Sequence, residues 1–201
     1  MNNTGYFIGN FEKREAQAPG VVEGRAIVFN SESDMGWYIE RIAPTALDKA
    51  DLRDVRLCLN HDTSFVYARS RNNNENSTMQ LMVNEEGMDI RAQLDIENSP
   101  QAQSLNSAIE RGDIDKMSFM FIVNRDEWAD LDTDVPKRTI LEIGRVYEVS
   151  AVTFPAYEAT SIQARGVSEA LDSAKESLES ARAEKRERER QKQKIRIMAE
   201  V

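Results

Sequence analysis

Alternation of apolar and polar residues runs through the chain as far as Arg165 and predicts strands. In DVRLCLN, Val55, Leu57 and Leu59 fall on one face and Asp54, Arg56, Cys58 and Asn60 on the other, the two-residue period of a half-buried strand. Continued one step further, the period aims His61 at the Leu59 face, at the strand's end. VVEGRAIVFN is another strand signal, with Gly24 as a bulge or a point of close backbone approach. STMQLMVNEEGMDIRAQLDI reads as a hairpin: Leu81 and Val83 alternate inward, NEEG turns the chain, and Met88, Ile90, Ala92 and Leu94 alternate on the return. KMSFMFIVN is mostly apolar on both faces, with Ser118, Met120 and Ile122 against Met117, Phe119, Phe121 and Val123, which places it centrally in a sheet. RTILEIGRVYEVSAVTFP supplies one or two more strands rich in β-branched residues, ended by Pro155.

The period changes to that of a helix in two places. SPQAQSLNSAIERGD has Ser99 as N-cap, Pro100 at the first helical position, Ala102, Leu105, Ala108 and Ile109 on one face, and Gly112 as the stop. Beyond Gly166 glycine, proline and aromatic residues cease, and Val167, Ala170, Leu171, Ala174, Leu178 and Ala181 recur at spacings of three and four before EKRERERQKQK. Such a helix is marginal alone, so it should pack on the body, pair with a second copy, or fray. The predicted fold class is α+β and mainly β: a barrel-like mixed or antiparallel sheet flanked by helices, with a charged C-terminal helix. The domain boundary falls between a body of residues 1–165 and a tail of 166–201.

Charge sharpens that division. The tail carries eight acidic and nine basic residues; subtracted from the chain's 35 and 26, these leave the body 27 acidic and 17 basic, a net of −10. An acidic body argues against nucleic acid as partner and for protein. No run of about 18 apolar residues is present, and MNNTGYFIGNFEKRE lacks the pattern of a signal peptide, so the expectation is a cytoplasmic chain with no membrane partner. One cysteine and one histidine can form neither an internal disulfide nor a His/Cys zinc cluster, and no cofactor is expected.

His61 is the only side chain whose ordinary pKa lies near neutrality, so base-assisted nucleophilic chemistry would use it. On composition alone the plainer account weighs more: NHD as a strand-end turn, with Asn60 and Asp62 bonding local backbone. Ser118 stands inside an otherwise apolar strand, where an unpartnered hydroxyl costs on the order of 1–3 kcal/mol. Its plain account is a hydroxyl satisfied by a neighbouring carbonyl. No GxSxG motif is present, which excludes a nucleophile elbow. Cys58 is a rival nucleophile of lower rank, because single buried cysteines are commonly inert.

The ordered set GRAIVFN, YIERIAPTAL, LCLNHD followed by YARS, EEGMDIRAQLD, IDKMSFMF and YEVSAVTFPAYEAT, over about residues 21–165, resembles the prohead proteases of tailed bacteriophages, which are similar in fold to the herpesvirus assembly proteases. The resemblance implies a serine protease domain in residues 1–165, with His61 as general base and Ser118 as nucleophile. The herpesvirus enzymes use a second histidine as third member. This chain has only one, so the third place, if it is filled at all, takes a carboxylate. The resemblance implies Glu148, which in YEVS matches the acidic position before the family's VS, with Asp62 as runner-up although its neighbouring strand position points it the other way. The plain account of Glu148 is a strand glutamate on the solvent face. Arg69 in YARS would bind substrate or cap a strand end. Oxyanion donors would be backbone N–H groups, which leave no sequence signature.

Three functions follow. The first is a serine endopeptidase that cuts scaffolding protein or coat-protein scaffold segments, and itself, inside the viral prohead in the host cytoplasm, as a homo-oligomer. The second is an inactive scaffold or assembly protein that keeps the fold and uses the tail. The third is a cysteine hydrolase based on Cys58 and His61.

Overall fold

Why the alternating segments form one sheet is clearest from its longest strand. The computed structural model describes residues 3–11, 18–153 and 165–199, with side chains over 18–153 and 171–199. Its strands are β1 (Asn3–Phe11), β2 (Val21–Val28), β3 (Ser33–Asp34), β4 (Ile39–Ile42), β5 (Asp54–Leu59), β6 (Ala68–Arg71), β7 (Met79–Asn84), β8 (Gly87–Gln93), β9 (Lys116–Ala129) and β10 (Lys137–Val152); its helices are α1 (Pro100–Arg111) and α2 (Arg165–Ala199). RTILEIGRVYEVSAV is a single strand, β10. It pairs antiparallel with β9 along one edge, and in parallel with β4 and then β5 along the other. The strand order is β3-β4-β10-β9-β1-β2-β8-β7, with β6 added through β5. Strand content is 42% against 25% helix, so the mainly β expectation agrees with the structure.

The sheet is mixed, as one of the sequence alternatives had it, but it does not close into a barrel. The reason lies between β6 and β7, where side chains take the place of a backbone ladder. Arg69 N–H donates to the Thr78 hydroxyl at 2.9 Å and Arg71 N–H to the Ser77 hydroxyl at 2.8 Å. Asn73 occupies the edge of β7, accepting from Leu81 N–H at 2.7 Å and donating to Leu81 O at 2.6 Å. An edge plugged in this way cannot extend the sheet.

Inside the curve lie Ile27, Leu57, Met79, Met88, Ile90, Leu94, Phe119, Phe121, Ile140 and Val149, among other buried residues. Helix α1 lays Ala102 and Leu105 on this core, starting at Ser99, whose hydroxyl accepts from Ala102 N–H at 3.2 Å, and stopping at Gly112 in the left-handed region (φ 79°). Two details of the pattern need correction. Gly24 pairs in register with Phe11 and with Ile90, and the bulge falls instead between Arg25 and Ile27. Val83 is 51% exposed, because the burial of β7 ends at Leu81. The glycine the hairpin does require is Gly87: a Cβ there would lie 1.8 Å from Ile27 O. The chain before β2 also forms a strand, β1, which NTGYFIGNF did not announce and which lies alongside β9.

Of the tail's apolar positions, Val167 and Ala170 lie outside the residues with described side chains, as Pro155 lies outside the described residues altogether. Ala174 and Leu178 are buried, with Ala174 and Leu171 against Met35, Trp37, Tyr38 and Trp128. From Arg186 to Ala199 every residue is exposed. The docked half is held by charge as well as by apolar contact. Buried Arg138 donates to Glu40 at 3.0 Å and to Asp126 at 2.6 Å, with its guanidinium 5.7 Å from the Trp128 ring. Ser177 of α2 donates to Asp126 at 2.9 Å and accepts from Trp128 Nε1 at 3.0 Å. No helix among the described residues is long and apolar enough to cross a membrane.

Removing one member of a buried ion cluster leaves the others uncompensated. Arg138→Met is therefore expected to lower the unfolding free energy by about 3–5 kcal/mol, measured by urea denaturation; a loss within ~0.5 kcal/mol would show that the cluster is not what fixes this end of the sheet.

Candidate active site

Glu148 and Ser150 reach the outer face of the sheet because of one extra residue. Val146 pairs with Phe121 and Glu148 with Met120, so Tyr147 is a bulge on β10. An extra residue reverses the alternation beyond it. Were Tyr147 an ordinary ladder position, with no bulge, Glu148 would share the face of Val146, inside the core. With the bulge, Val149 and Ala151 take the core face and Glu148 and Ser150 the opposite one. Ser118 pairs directly with Ser150 across the antiparallel ladder, and Cys58 pairs with Ser150 from β5. Residues opposite one another share a face, with Cβ atoms about 5 Å apart. A row of Cys58, Ser150 and Ser118 therefore crosses three strands, all three residues wholly buried.

His61 enters from the end of β5, and here the alternation fails. Asn60 and His61 both take left-handed backbone, with φ 51° and 61°, a conformation that costs a non-glycine residue on the order of 1–2 kcal/mol. The turn is tied to the end of β10. Asn60 N–H donates to Ala151 O at 2.8 Å, Asn60 Oδ1 accepts from Thr153 N–H at 3.0 Å, and His61 N–H donates to Ser150 Oγ at 3.1 Å. The ring is accordingly not on the Leu59 face. Two left-handed residues carry it around the strand end to Glu148, whose Oε1 lies 2.6 Å from His61 Nδ1.

A carboxylate can only accept, so this bond assigns the proton to Nδ1 and leaves Nε2 as the basic nitrogen. The second carboxylate oxygen accepts from the Ser150 hydroxyl. Glu148 is 1% exposed, which removes the account of it as a solvent-facing strand residue. The Ser118 hydroxyl is buried with no hydrogen-bond partner among the described residues, so the neighbouring-carbonyl account of it fails as well.

The remaining candidates have other engagements. Asp62 accepts from the Ser64 hydroxyl and, at 2.9 Å, from Ser64 N–H, bonds that hold its carboxyl below the ordinary range. Arg69 grips Asp54 through two bonds of 2.6 and 2.9 Å, and Arg56 holds the same carboxylate. Cys58 lies beside the cluster, but burial first, and then the charge of Glu148, push its thiol up to about 12. Sequence reasoning missed Ser150 as a member of the cluster. The signal was the two-residue spacing in EVS, readable only once one knows that both residues face away from the core.

A family model described as caudovirus prohead serine protease matches residues 10–175, and the chain belongs to that family. No curated protein and no solved structure is significantly similar to it.

With a pKa of about 12, roughly one Cys58 in ten thousand is thiolate at pH 8. Iodoacetamide at that pH should leave the native protein unmodified by intact mass and add one carbamidomethyl group after unfolding. Rapid alkylation of the native form would restore Cys58 as a rival nucleophile.

Proposed function

We propose that this member of the prohead serine protease family is an endopeptidase in which Ser118 is the nucleophile, His61 the general base and Glu148 the group that orients the base. The observation that carries the reading is the 2.6 Å contact between His61 Nδ1 and Glu148, made beside Ser150, the residue directly across the ladder from Ser118. With Nδ1–H held by the carboxylate, Nε2 accepts the Ser118 proton as Oγ attacks the scissile carbonyl, and Glu148 stabilises the imidazolium that results. The imidazolium then gives the proton to the departing amine. Water, deprotonated by the same ring, hydrolyses the acyl-enzyme.

The substrates under this reading are scaffolding protein or coat-protein scaffold segments within the prohead, in the host cytoplasm, and the chain itself; the active form is a homo-oligomer. The tail suits recruitment. Residues 186–199 carry six basic and two acidic residues, and Ile195, Ile197 and Met198 are exposed there, which fits an acidic protein partner better than a solvated helix without a task. The same exposed segment favours the second reading, an assembly protein that cuts nothing. The buried cluster weighs against it, since assembly through the tail requires neither His61 nor Ser118.

Cleavage decides between the two. Wild type and Ser118→Ala, each incubated at high concentration with a scaffold or coat precursor, should differ in fragments by intact mass, with Ser118→Ala and His61→Ala at least ~10³-fold slower than wild type. Equal cutting by wild type and Ser118→Ala would give the nucleophile to another residue, and no cutting by wild type would favour the assembly protein. Truncation before Arg186 should leave cleavage of a short peptide unchanged and slow cleavage of the full precursor several-fold; equal loss on both would deny the tail a recruiting role.

A further inference from the structure

Glu148 would be a poor orienting group if only His61 held it. A glutamate has three rotatable side-chain bonds, and one contact at Oε1 leaves the plane of the carboxylate unfixed. Nor does the backbone alone settle where the ring lies, because His61 follows a strand end in left-handed conformation. Both uncertainties meet at one hydroxyl. The Ser150 O–H donates to Glu148 Oε2, and Ser150 Oγ accepts from His61 N–H at 3.1 Å. Together with the 2.6 Å contact at Nδ1, these bonds close a ring: Ser150 to carboxylate, carboxylate to imidazole, imidazole through its own backbone to Ser150.

We infer that Ser150 is a positioning residue of the active site, which fixes the Glu148 carboxylate and the His61 turn at once so that the ring faces Ser118. The inference rests on the triad reading for its consequence in catalysis, but its geometry stands apart from whether the chain cuts anything. Ser150 touches neither of the reacting atoms. It acts through Glu148 and His61, and its hydroxyl uses its donor on the first and a lone pair on the second. Being in register with Ser118 on β9, it also transmits the position of the nucleophile strand to the base.

A single histidine makes the test direct, since any imidazole N–H resonance in the proton spectrum belongs to His61. Wild type should show a downfield Nδ1–H line, and Glu148→Gln, which loses the carboxylate, should shift or lose it and so assign it. Ser150→Ala should move the line or broaden it by solvent exchange at least tenfold faster, while Ser150→Thr, which retains the hydroxyl, should keep it. Should alanine perturb the amide spectrum as a whole, Ser150→Cys, nearly isosteric and a weak donor, gives the same readout.

In the precursor-cleavage assay Ser150→Ala should lower kcat roughly 10- to 100-fold, the value of a hydrogen bond to a charged group, with KM unmoved. It should add nothing to the loss already caused by Glu148→Ala, because groups acting as a unit are not additive. An unchanged Nδ1–H line in Ser150→Ala, or a full multiplicative loss in the double variant, would overturn the inference. Retained cutting by Ser118→Ala would overturn the triad instead, and the Nδ1–H line would still judge Ser150.

Discussion

The ladder along β10 is the constraint on which the rest depends. Sixteen residues are held against β9 on one edge and against β4 and β5 on the other, so any residue added or removed in β10 changes which side chains face the core beyond that point. The bulge at Tyr147 is such an addition. It lets Val146, Val149 and Ala151 all enter the core while Glu148 and Ser150 leave it. The antiparallel register then brings Ser118 to Ser150, and the parallel register brings the end of β5, with its turn, alongside the same residues. The ladder shifts register at four places along β10, and the last of them, at Tyr147, sets the facing of the residues that form the cluster drawn from three strands.

The same strand carries a buried carboxylate partner at each end, and the two are satisfied in different ways. Near its start, Arg138 faces Glu40, whose carboxyl is pushed up by burial and drawn back by the guanidinium. That cation is permanent, and the cluster holds the helix α2 through Asp126 and Ser177. Near its end, Glu148 faces an imidazole, which is cationic only when it has taken a proton, and a hydroxyl, which never is. Withdrawing a carboxylate from water costs several kcal/mol. A standing arginine offsets this for structural ends; a ring whose charge comes and goes makes the offset depend on where a proton is. The second arrangement is the one useful to a reaction that moves a proton.

How much of this was legible in the sequence follows the same division. Local features could be read: the helix from Pro100 with Ser99 and Gly112 at its ends, the hairpin through NEEG, the central place of KMSFMFIVN, and Ser118 as an oddity within it. What could not be read was set by register and by backbone conformation. RVYEV contains no glycine at the bulge, so simple alternation from Val146 turns Glu148 inward. Nothing in LNHD states that Asn60 and His61 are left-handed, so alternation sends the ring to Leu59. β1 was hidden because its pairing with β9 comes from long-range contact, and the closing of a barrel was a reasonable but wrong extension, because Thr78, Ser77 and Asn73 end the ladder with side chains.

Ser118 itself argues for retaining the enzymatic reading over assembly alone. In a strand kept only for packing, a buried serine would bond a nearby carbonyl or be replaced by alanine at little cost. Here the hydroxyl is wholly buried with no partner among the described residues, in line with Ser150 and on the face that holds His61 and Glu148. That omission costs on the order of 1–3 kcal/mol, and two left-handed residues add a comparable cost at the turn. Features that cost stability and meet at one point mark a site where something other than stability is served. The proposed role of Ser118 as nucleophile, on the sheet face that carries Glu148 and the ring it holds, would account for these costs together.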